Sequence, residues 1–280
     1  MSSQPAVGTP RFPDFIIAGA MKSGTSSLHA MLSEHPRVFI PPGEVGFFDH
    51  DDFCEHVDYF VTNDGGFCDR DFDERLAERL DWYRSLFAAA RPDQLAGVDS
   101  TTYLSSRAAP SRIARHIPHA RIIILLREPA SRAYSQYWHM LSAGRMLYSF
   151  EDTLRLMPER ILTRSCYVAA VRRYLECFPR RQLHFVAFEN FARDPSAGTT
   201  ETLEFLGLGG SDFHRVPAPG TSTPLGWRDR RCCRCIATAG DGATACPVTC
   251  SILAAPSRRS RSRHAATTRC AMSHERCPRR

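Results

Sequence analysis

Hydrophobic residues form continuous runs at three places in the chain. Phe15 to Ala18 is the first run, Arg121-Ile-Ile-Ile-Leu-Leu126 is a longer one, and Leu183 to Phe188 is the third. Runs of this length without polar alternation are typical of strands that are buried on both faces of a parallel sheet. The pattern therefore predicts three parallel strands.

Between these runs, apolar residues recur every three or four positions, as they do in amphipathic helices. Thr25 to Ser33 places Leu28, Met31 and Leu32 on one face. The same spacing predicts helices from Pro129 to about Leu141, near Ser165 to Phe178, and near Thr199 to Leu206.

Alternating strands and helices predict an α/β fold with a central parallel sheet and helices on both faces. The length of 280 residues fits a single domain of this kind. We expect a flexible N-terminus over residues 1–13, the domain over residues 14–224, and a Cys/Arg-rich tail over residues 225–280 that is disordered or aberrant.

A glycine turn joins the first predicted strand to its helix. Gly19 and Gly24 bracket the turn. Backbone N–H groups at a helix N-terminus have no partner inside the helix, and the helix dipole favours negative charge there. The turn therefore predicts a phosphate or sulfate site whose backbone and hydroxyl donors belong to Ser23, Gly24, Thr25 and Ser26.

Lys22, the single lysine of the chain, lies inside this turn, whereas 35 arginines are spread along the sequence. An ammonium is a compact charge that can approach one oxygen closely. The glycines have the spacing of the G-x-x-x-x-G-K-[ST] loop of nucleoside triphosphatases, but Thr25 stands where that pattern has its lysine. This difference disfavours a triphosphatase and leaves a kinase only as an alternative.

A second candidate anion site follows the strand that ends at Leu126. Arg127 lies at the carboxyl end of that strand, where ligands of open α/β sheets bind, and Pro129 opens the next helix. Arg127 and Ser135 are placed to share a terminal phosphate, with the guanidinium as a bidentate clamp. The alternative is that Arg127 pairs with a carboxylate such as that of Glu128.

Glu44 is the candidate general base. It follows the rigid turn Pro41-Pro42-Gly43 and precedes Phe47-Phe48, which we expect to pack beneath the cleft. A carboxylate against aromatic surface has a raised pKa, which suits it to accept a proton from a hydroxyl or an amine. The alternative is a solvated loop glutamate. The reserve candidates are His50 and Asp99.

These segments together resemble the sulfotransferases that use 3′-phosphoadenosine 5′-phosphosulfate (PAPS), especially the carbohydrate type related to heparan sulfate N- and 3-O-sulfotransferases. Ile17 to Leu28 is similar to that family's 5′-phosphosulfate loop. His35-Pro36 with Glu44-Val-Gly-Phe-Phe-Asp49 is similar to its catalytic glutamate segment, and Arg127 to Ser135 to its 3′-phosphate segment. The resemblance spans about residues 14 to 208.

The resemblance implies sulfuryl transfer from PAPS to a hydroxyl or amine, with release of 3′,5′-ADP. It implies that Lys22 neutralises the leaving 5′-phosphate, that residues 23–26 hold its other oxygens, and that Glu44 accepts the proton. Arg127 and Ser135 would hold the 3′-phosphate. No metal is implied, and we interpret the acidic residues Asp49, Asp51 and Asp52 as a solvated run.

The sequence departs from the family's pattern at two places. Asp99 lies in Gly97-Val-Asp-Ser-Thr-Thr-Tyr103, where relatives commonly have a lysine, so one acceptor-side or catalytic contact is in question. After residue 224, the sequence lacks the basic glycine loop and the final helix with which relatives continue. The alternative to an active enzyme is therefore a nucleotide-binding relative that is catalytically impaired.

The net charge of +6 divides unevenly along the chain. Residues 225–280 carry 12 arginines and 3 acids, which leaves residues 1–224 mildly acidic. Ten acids lie between Asp49 and Glu74, against Arg70 alone. If this segment rims the acceptor site, it favours a neutral or amine-bearing glycan, glycolipid or small metabolite; the alternative is a solvated face remote from the cleft.

The tail holds seven of the eleven cysteines. The pairs Cys232/Cys235 and Cys246/Cys250 have zinc-ligand spacing, but no periodic segment surrounds them, so a disordered extension or a shifted reading frame is the better interpretation. A basic tail that touches nucleic acid or membrane is the alternative.

The sequence has no apolar leader near Met1 and no apolar run long enough to span a membrane. We expect a cytoplasmic protein whose partner is a small-molecule or glycan acceptor rather than nucleic acid. The sequence leaves its oligomeric state open.

Overall fold

The computed structural model of the chain describes residues 9–51, 56, 60, 66–67 and 71–209. The predicted tail over residues 225–280 lies outside the described residues, as does most of the predicted flexible N-terminus. Both domain boundaries therefore remain predictions.

Five strands form one parallel sheet in the described part of the chain. In chain order they are β1 (Phe15–Gly19), β2 (Val38–Phe39), β3 (Leu95–Asp99), β4 (Arg121–Leu126) and β5 (Leu183–Ala187). The order across the sheet is β2-β3-β1-β4-β5, and every neighbouring pair is parallel. The predicted parallel sheet is confirmed, and β2 and β3 are additions to it.

Helices lie in the connections between the strands, and two more follow β5. They are α1 (Thr25–Ser33), α2 (Leu76–Ser85), α3 (Ala109–His116), α4 (Pro129–Ser142), α5 (Phe150–Leu156), α6 (Pro158–Ile161), α7 (Tyr167–Cys177), α8 (Phe188–Arg193) and α9 (Pro195–Phe205). Short 3₁₀ turns at Thr163–Ser165 and Arg180–Gln182 precede α7 and β5. None of the described helices is long and apolar enough to cross a membrane.

The two faces of the sheet are covered by different helices. Successive side chains of a strand point to opposite faces, so Ile16 and Ile122 pack against α2, α3 and α7, whereas Ile17 and Ile123 pack against α1 and α9. All four of these isoleucines are completely buried. The continuous apolar runs are therefore explained by a core on each face, and the predicted helices on both faces are confirmed.

Two predicted boundaries differ from the structure. The third strand ends at Ala187, and Phe188 begins α8 instead of continuing the strand. The last helix begins at Pro195 rather than near Thr199, because the Asp194 side chain accepts a hydrogen bond from the Ala197 N–H (3.0 Å) and caps the helix.

Gly97 allows β1 and β3 to pack closely. It is paired with Phe15 in the sheet, and a Cβ atom built on Gly97 would lie only 2.1 Å from the Phe15 ring. Because Phe15 is fully buried, its ring has little space into which it could move.

We expect Gly97→Ala to lower the free energy of unfolding by about 1–3 kcal/mol, the usual cost of overpacking a core. Gly209→Ala is the matched control, because a Cβ atom there meets nothing within 4 Å, and its effect should stay within about 0.5 kcal/mol. Urea denaturation of both variants provides the measurement. Equal stability of the two variants would contradict this account of the β1–β3 contact.

Candidate functional site

Three candidate segments meet at the carboxyl edge of the sheet because β1 lies between β3 and β4. The loop of Lys22 follows β1, Thr101 follows β3, and Arg127 follows β4. From β1 the chain continues to β2 and β3 on one side of β1 and then crosses to β4 and β5 on the other. Ligands of open α/β sheets bind where the strand order reverses in this way. The topology thus assembles residues that are about 100 positions apart in sequence.

The loop after β1 has a backbone that most side chains would disfavour. Gly19 (φ 139°) and Gly24 (φ 86°) both have positive φ, and Lys22 itself has φ 65°. A Cβ atom on Gly19 would lie 2.8 Å from the Thr101 carbonyl oxygen, so glycine is required where the two loops touch. A left-handed non-glycine residue is uncommon, and such residues are concentrated at functional sites.

The N-terminus of α1 is open for an anion. Gly24 is the N-cap residue and supplies no capping side chain. Within the described part of the chain, the N–H groups of Gly24, Thr25 and Ser26 have no protein acceptor. These three groups, together with the exposed Ser26 side chain, remain available to a phosphate or sulfate oxygen.

The side chains of Ser23 and Thr25 are less available than the sequence suggested. Both are buried, and the Ser23 hydroxyl lies beside that of Tyr167. The Tyr167 hydroxyl in turn donates to the Arg127 carbonyl oxygen (2.9 Å). The Ser23 hydroxyl is thus buried near that of Tyr167 without a hydrogen-bond partner in the described part of the chain, whereas Ser26 lies on the exposed surface of the loop.

Lys22 and Arg127 bring two positive charges together at this edge. The Arg127 guanidinium donates to the Lys22 carbonyl oxygen (3.1 Å) and stacks over the Phe188 ring, 4.7 Å from its centroid. Partial burial, and secondarily the charge of Arg127, lower the pKa of Lys22, while the charge of Glu44 opposes the shift. Two cations close to an open helix N-terminus favour the binding of an anion.

Glu44 reaches the site from the loop after β2. Its carboxylate accepts a hydrogen bond from the Thr101 hydroxyl (2.6 Å), and the residue is exposed. Phe47 and Phe48 are buried as expected, with their rings 4.8 Å apart and packed against Tyr83. The expected enclosure of the carboxylate by aromatic surface is not observed, because the rings point into the core and a threonine holds the carboxylate.

The two reserve candidates have other partners. Asp99 is buried at the end of β3, 3.5 Å from Nδ1 of His29 on α1. Burial raises the pKa of Asp99, and His29 partly offsets that effect. His50 lies 2.7 Å from the Arg79 guanidinium, and burial lowers its pKa to about 4. Both side chains are thus engaged within the protein.

The acidic residues that were expected to be solvated include two with structural contacts. Asp49 is completely buried and is held by the Thr102 hydroxyl and by Nε2 of His56 (3.0 Å). Asp51 accepts hydrogen bonds from the Ser106 hydroxyl (2.5 Å) and the Arg107 N–H (3.0 Å). The solvated-run interpretation is wrong for Asp49, which is buried, whereas Asp51 is exposed although it too ties the Glu44 loop to the loop after β3. Asp52 lies outside the described residues.

The structure also addresses the alternative partner of Arg127. The Glu128 carboxylate accepts hydrogen bonds from the N–H groups of Ala130 (2.9 Å) and Ser131 (2.6 Å), which cap α4. Hydrogen bonding to the Ser131 side chain, and then to these two N–H groups, lowers the pKa of Glu128. Glu128 therefore caps α4, and the Arg127 guanidinium contacts the Lys22 loop instead. Ser135 is half-buried on α4, and its shared phosphate contact with Arg127 stays a prediction.

Sequence reasoning overlooked Thr101 and Tyr167. Each makes its contact through a hydroxyl, to Glu44 and to the Arg127 carbonyl oxygen respectively. Thr101 lies 57 positions from Glu44 in the sequence. No local sequence pattern predicts a hydrogen bond between a loop threonine and so distant a residue. The sequence feature that could have indicated Thr101 is its position just after a strand, because ligands bind at the carboxyl edge of the sheet.

Comparison with known proteins gives a family match. The model of the Sulfotransferase family matches residues 13–212. Among solved structures, a sulfotransferase from Alicyclobacillus acidocaldarius is 34% identical, with a TM-score of 0.60 over 77% of this chain and 87% of that chain. The sulfotransferase domain from the curacin biosynthetic pathway, 18% identical with a TM-score of 0.50 over 71% of this chain and 75% of that one, shows likeness of fold alone.

Curated relatives are similar over part of their length. The bifunctional heparan sulfate N-deacetylase/N-sulfotransferase 2 of Homo sapiens is 29% identical over 214 residues, which are 71% of this chain and 22% of that protein. The heparan sulfate glucosamine 3-O-sulfotransferase 3B1 of Homo sapiens is 29% identical over 209 residues, which are 72% of this chain and 47% of that protein. The chain thus spans between about a fifth and a half of these relatives.

The charges around Lys22 can be tested directly, because the chain has one lysine and isotope-labelled lysine gives one side-chain NMR signal. We expect the signal to titrate below the ordinary lysine pKa of 10.5. Arg127→Gln should raise the pKa by removing repulsion, and Glu44→Gln should lower it by removing attraction. A pKa at the ordinary value that neither variant changes would contradict the described arrangement.

Proposed function

The chain belongs to the sulfotransferase family, and from this we propose that it transfers a sulfuryl group from PAPS to a hydroxyl or amine of an acceptor and releases 3′,5′-ADP. The acceptor is a glycan, a glycolipid or a small molecule. The names of the curated relatives, which refer to heparan sulfate, support an acceptor of carbohydrate type.

One observation carries the proposal. Lys22 and Arg127 lie together beside an N-terminus of α1 whose first N–H groups have no protein acceptor in the described part of the chain. A nucleotide with a 5′-phosphosulfate and a 3′-phosphate offers an anion to each of the two cations. An ATP-dependent enzyme gains no comparable use for Arg127, because ATP has no 3′-phosphate.

Lys22 would act on the leaving group. Negative charge develops on the oxygen between sulfur and the 5′-phosphate as the S–O bond breaks, and an ammonium close to that oxygen stabilises the transition state more than the ground state. The N–H groups of Gly24, Thr25 and Ser26 would hold the remaining oxygens. The lowered pKa of Lys22 also makes proton donation to the leaving oxygen easier.

Glu44 would accept the proton of the attacking hydroxyl or amine. A base must be ionised to do so, and the hydrogen bond donated by Thr101 favours the ionised carboxylate and fixes its orientation. Glu44 is exposed, so an acceptor can approach its carboxylate from solvent. Thr101 is therefore a positioning residue in this proposal.

Arg127 and Ser135 would hold the 3′-phosphate of the donor. The guanidinium is fixed by its stacking on Phe188 and by its hydrogen bond to the Lys22 carbonyl oxygen, so it is preorganised for an anion. Ser135 extends the same site along α4. No step of the proposed reaction requires a metal ion.

The second candidate function is a nucleotide-binding protein that does not turn over. The sequence after residue 224 favours it, because cysteines and arginines stand where the family resemblance implies a basic glycine loop and a closing helix. Calorimetric binding of 3′,5′-ADP together with transfer of labelled sulfate to a panel of acceptors separates the candidates. Binding with transfer supports the enzyme, and binding without transfer supports the inactive relative.

We expect Lys22→Ala to lower kcat by about 10²–10³-fold, since it removes a charge that acts mainly in the transition state, and to weaken 3′,5′-ADP binding only modestly. Glu44→Gln should lower kcat by about 10²–10⁴-fold with nucleotide binding unchanged. Labelled-sulfate transfer gives kcat, and calorimetry gives the affinity.

Glu204→Gln is the control for the second variant, because Glu204 is an exposed glutamate on α9 away from these loops. It should retain wild-type turnover. Full activity of Lys22→Ala or of Glu44→Gln would defeat the corresponding role.

A further inference from the structure

The described residues also form a cavity of about 320 Å³ next to the proposed reaction centre. Its wall includes Met21, which precedes Lys22, and Thr101, which holds Glu44. The rest of the wall comes from the loop after β3, from Arg132 on α4, from the segment around α6, and from the first turns of α7. The volume lies at the lower end of the range of small-ligand sites, roughly 300–1,000 Å³.

The cavity wall is strongly positive. Its arginines are Arg107, Arg132, Arg160, Arg164 and Arg173. Among the described residues that line the cavity, Glu159 is the only acid, which leaves an excess of four positive charges. A concave surface with one sign of charge attracts ligands of the opposite sign.

Two of these arginines have no carboxylate partner in the described part of the chain. Arg132 is completely buried, and its guanidinium donates to the Ser165 hydroxyl (2.7 Å) and to the Ile161 carbonyl oxygen, which are both neutral. Arg173 donates to the Ser106 carbonyl oxygen (3.4 Å), while its buried Nε has no acceptor among the described residues. A buried donor of this kind is costly unless an acceptor arrives.

The charges of the cavity also repel one another. Burial, followed by the nearby charges of Arg164 and Arg127, lowers the pKa of Arg132 to about 10. A bound anion would offset this repulsion. The wall is thus suited to an oxyanion rather than to a neutral ligand.

We propose that this cavity binds a carboxylate or phosphate group of the acceptor and thereby holds the reacting hydroxyl or amine beside Glu44. The inference rests on the proposed function and names the acceptor class as a small oxyanion-bearing molecule. It departs from the neutral or amine-bearing acceptor that the acidic segment suggested. Two of the acids in that segment, Asp49 and Asp51, have turned out to be engaged in structural contacts.

The test uses three hexoses that differ at C6: glucose, glucuronate and glucose 6-phosphate. Each is titrated by calorimetry into the full chain saturated with 3′,5′-ADP, so that the nucleotide site is already filled. We expect at least one charged sugar to bind about tenfold or more tightly than glucose. The tighter of the two charged sugars distinguishes a carboxylate site from a phosphate site.

The cavity variant is Arg160→Gln/Arg173→Gln. Its matched control is Arg115→Gln/Arg155→Gln, which removes two arginines whose side chains are 67% and 79% exposed and do not line the cavity. We expect the charged-sugar preference to disappear in the cavity variant and to persist in the control. If the double variant does not fold, as judged by circular dichroism, Arg160→Gln alone should give a loss of about tenfold.

Equal affinity for all three sugars, or a preference that survives in the folded cavity variant, would overturn the inference. Failure of the wild type to bind 3′,5′-ADP would instead contradict the proposed function. The sugar titrations without nucleotide then still show whether the cavity binds an oxyanion. The arginines changed in the cavity and control variants all lie outside the Lys22 loop, so their effects do not depend on the nucleotide.

Discussion

The juxtaposition of the Lys22 ammonium with the Arg127 guanidinium is the constraint on which the site depends. Like charges brought together and partly removed from water raise the free energy of the folded chain. Burial first, and the charge of Arg127 second, lower the pKa of Lys22. A bound anion would offset the cost of holding the two positive charges close together. The adjacent helix N-terminus supplies uncharged donors for the same anion.

The parallel sheet makes this juxtaposition possible. β1 lies between β3 and β4, so the residues that follow these three strands meet at one edge. Gly19 lets the loop after β1 pass directly over the loop after β3. The contact of Thr101 with Glu44 then attaches the β2 loop to the same edge. The proposed proton acceptor, leaving-group cation and phosphate clamp are therefore positioned by backbone topology before any ligand binds.

The sequence predicted the parts of this arrangement that local patterns determine. The β4 run Arg121–Leu126 and the α1 helix Thr25–Ser33 were found where predicted, because a continuous apolar run and a glycine-to-helix junction are local signals. β3 was not predicted, since five residues with a glycine at the centre give a weak pattern. Gly97 is required by the close approach of the Phe15 ring, which belongs to a strand 82 positions earlier.

Contacts between distant loops were beyond local patterns. Asp49 looked like part of a solvated acidic run, yet it is buried against Thr102. The arginines of the cavity come from four separate segments, so their convergence is visible only after folding. The acidic segment of the sequence therefore favoured a neutral or amine-bearing acceptor, whereas the arginines around the cavity favour an acceptor that carries an oxyanion.

The most direct measurement is a crystal structure of the chain with 3′,5′-ADP. The account predicts that the 5′-phosphate lies within hydrogen-bond distance of Lys22 Nζ and of the N–H groups of Gly24 to Ser26. It predicts that the 3′-phosphate contacts the Arg127 guanidinium. A nucleotide bound with either phosphate away from these groups, or with Lys22 turned from the ligand, would contradict it.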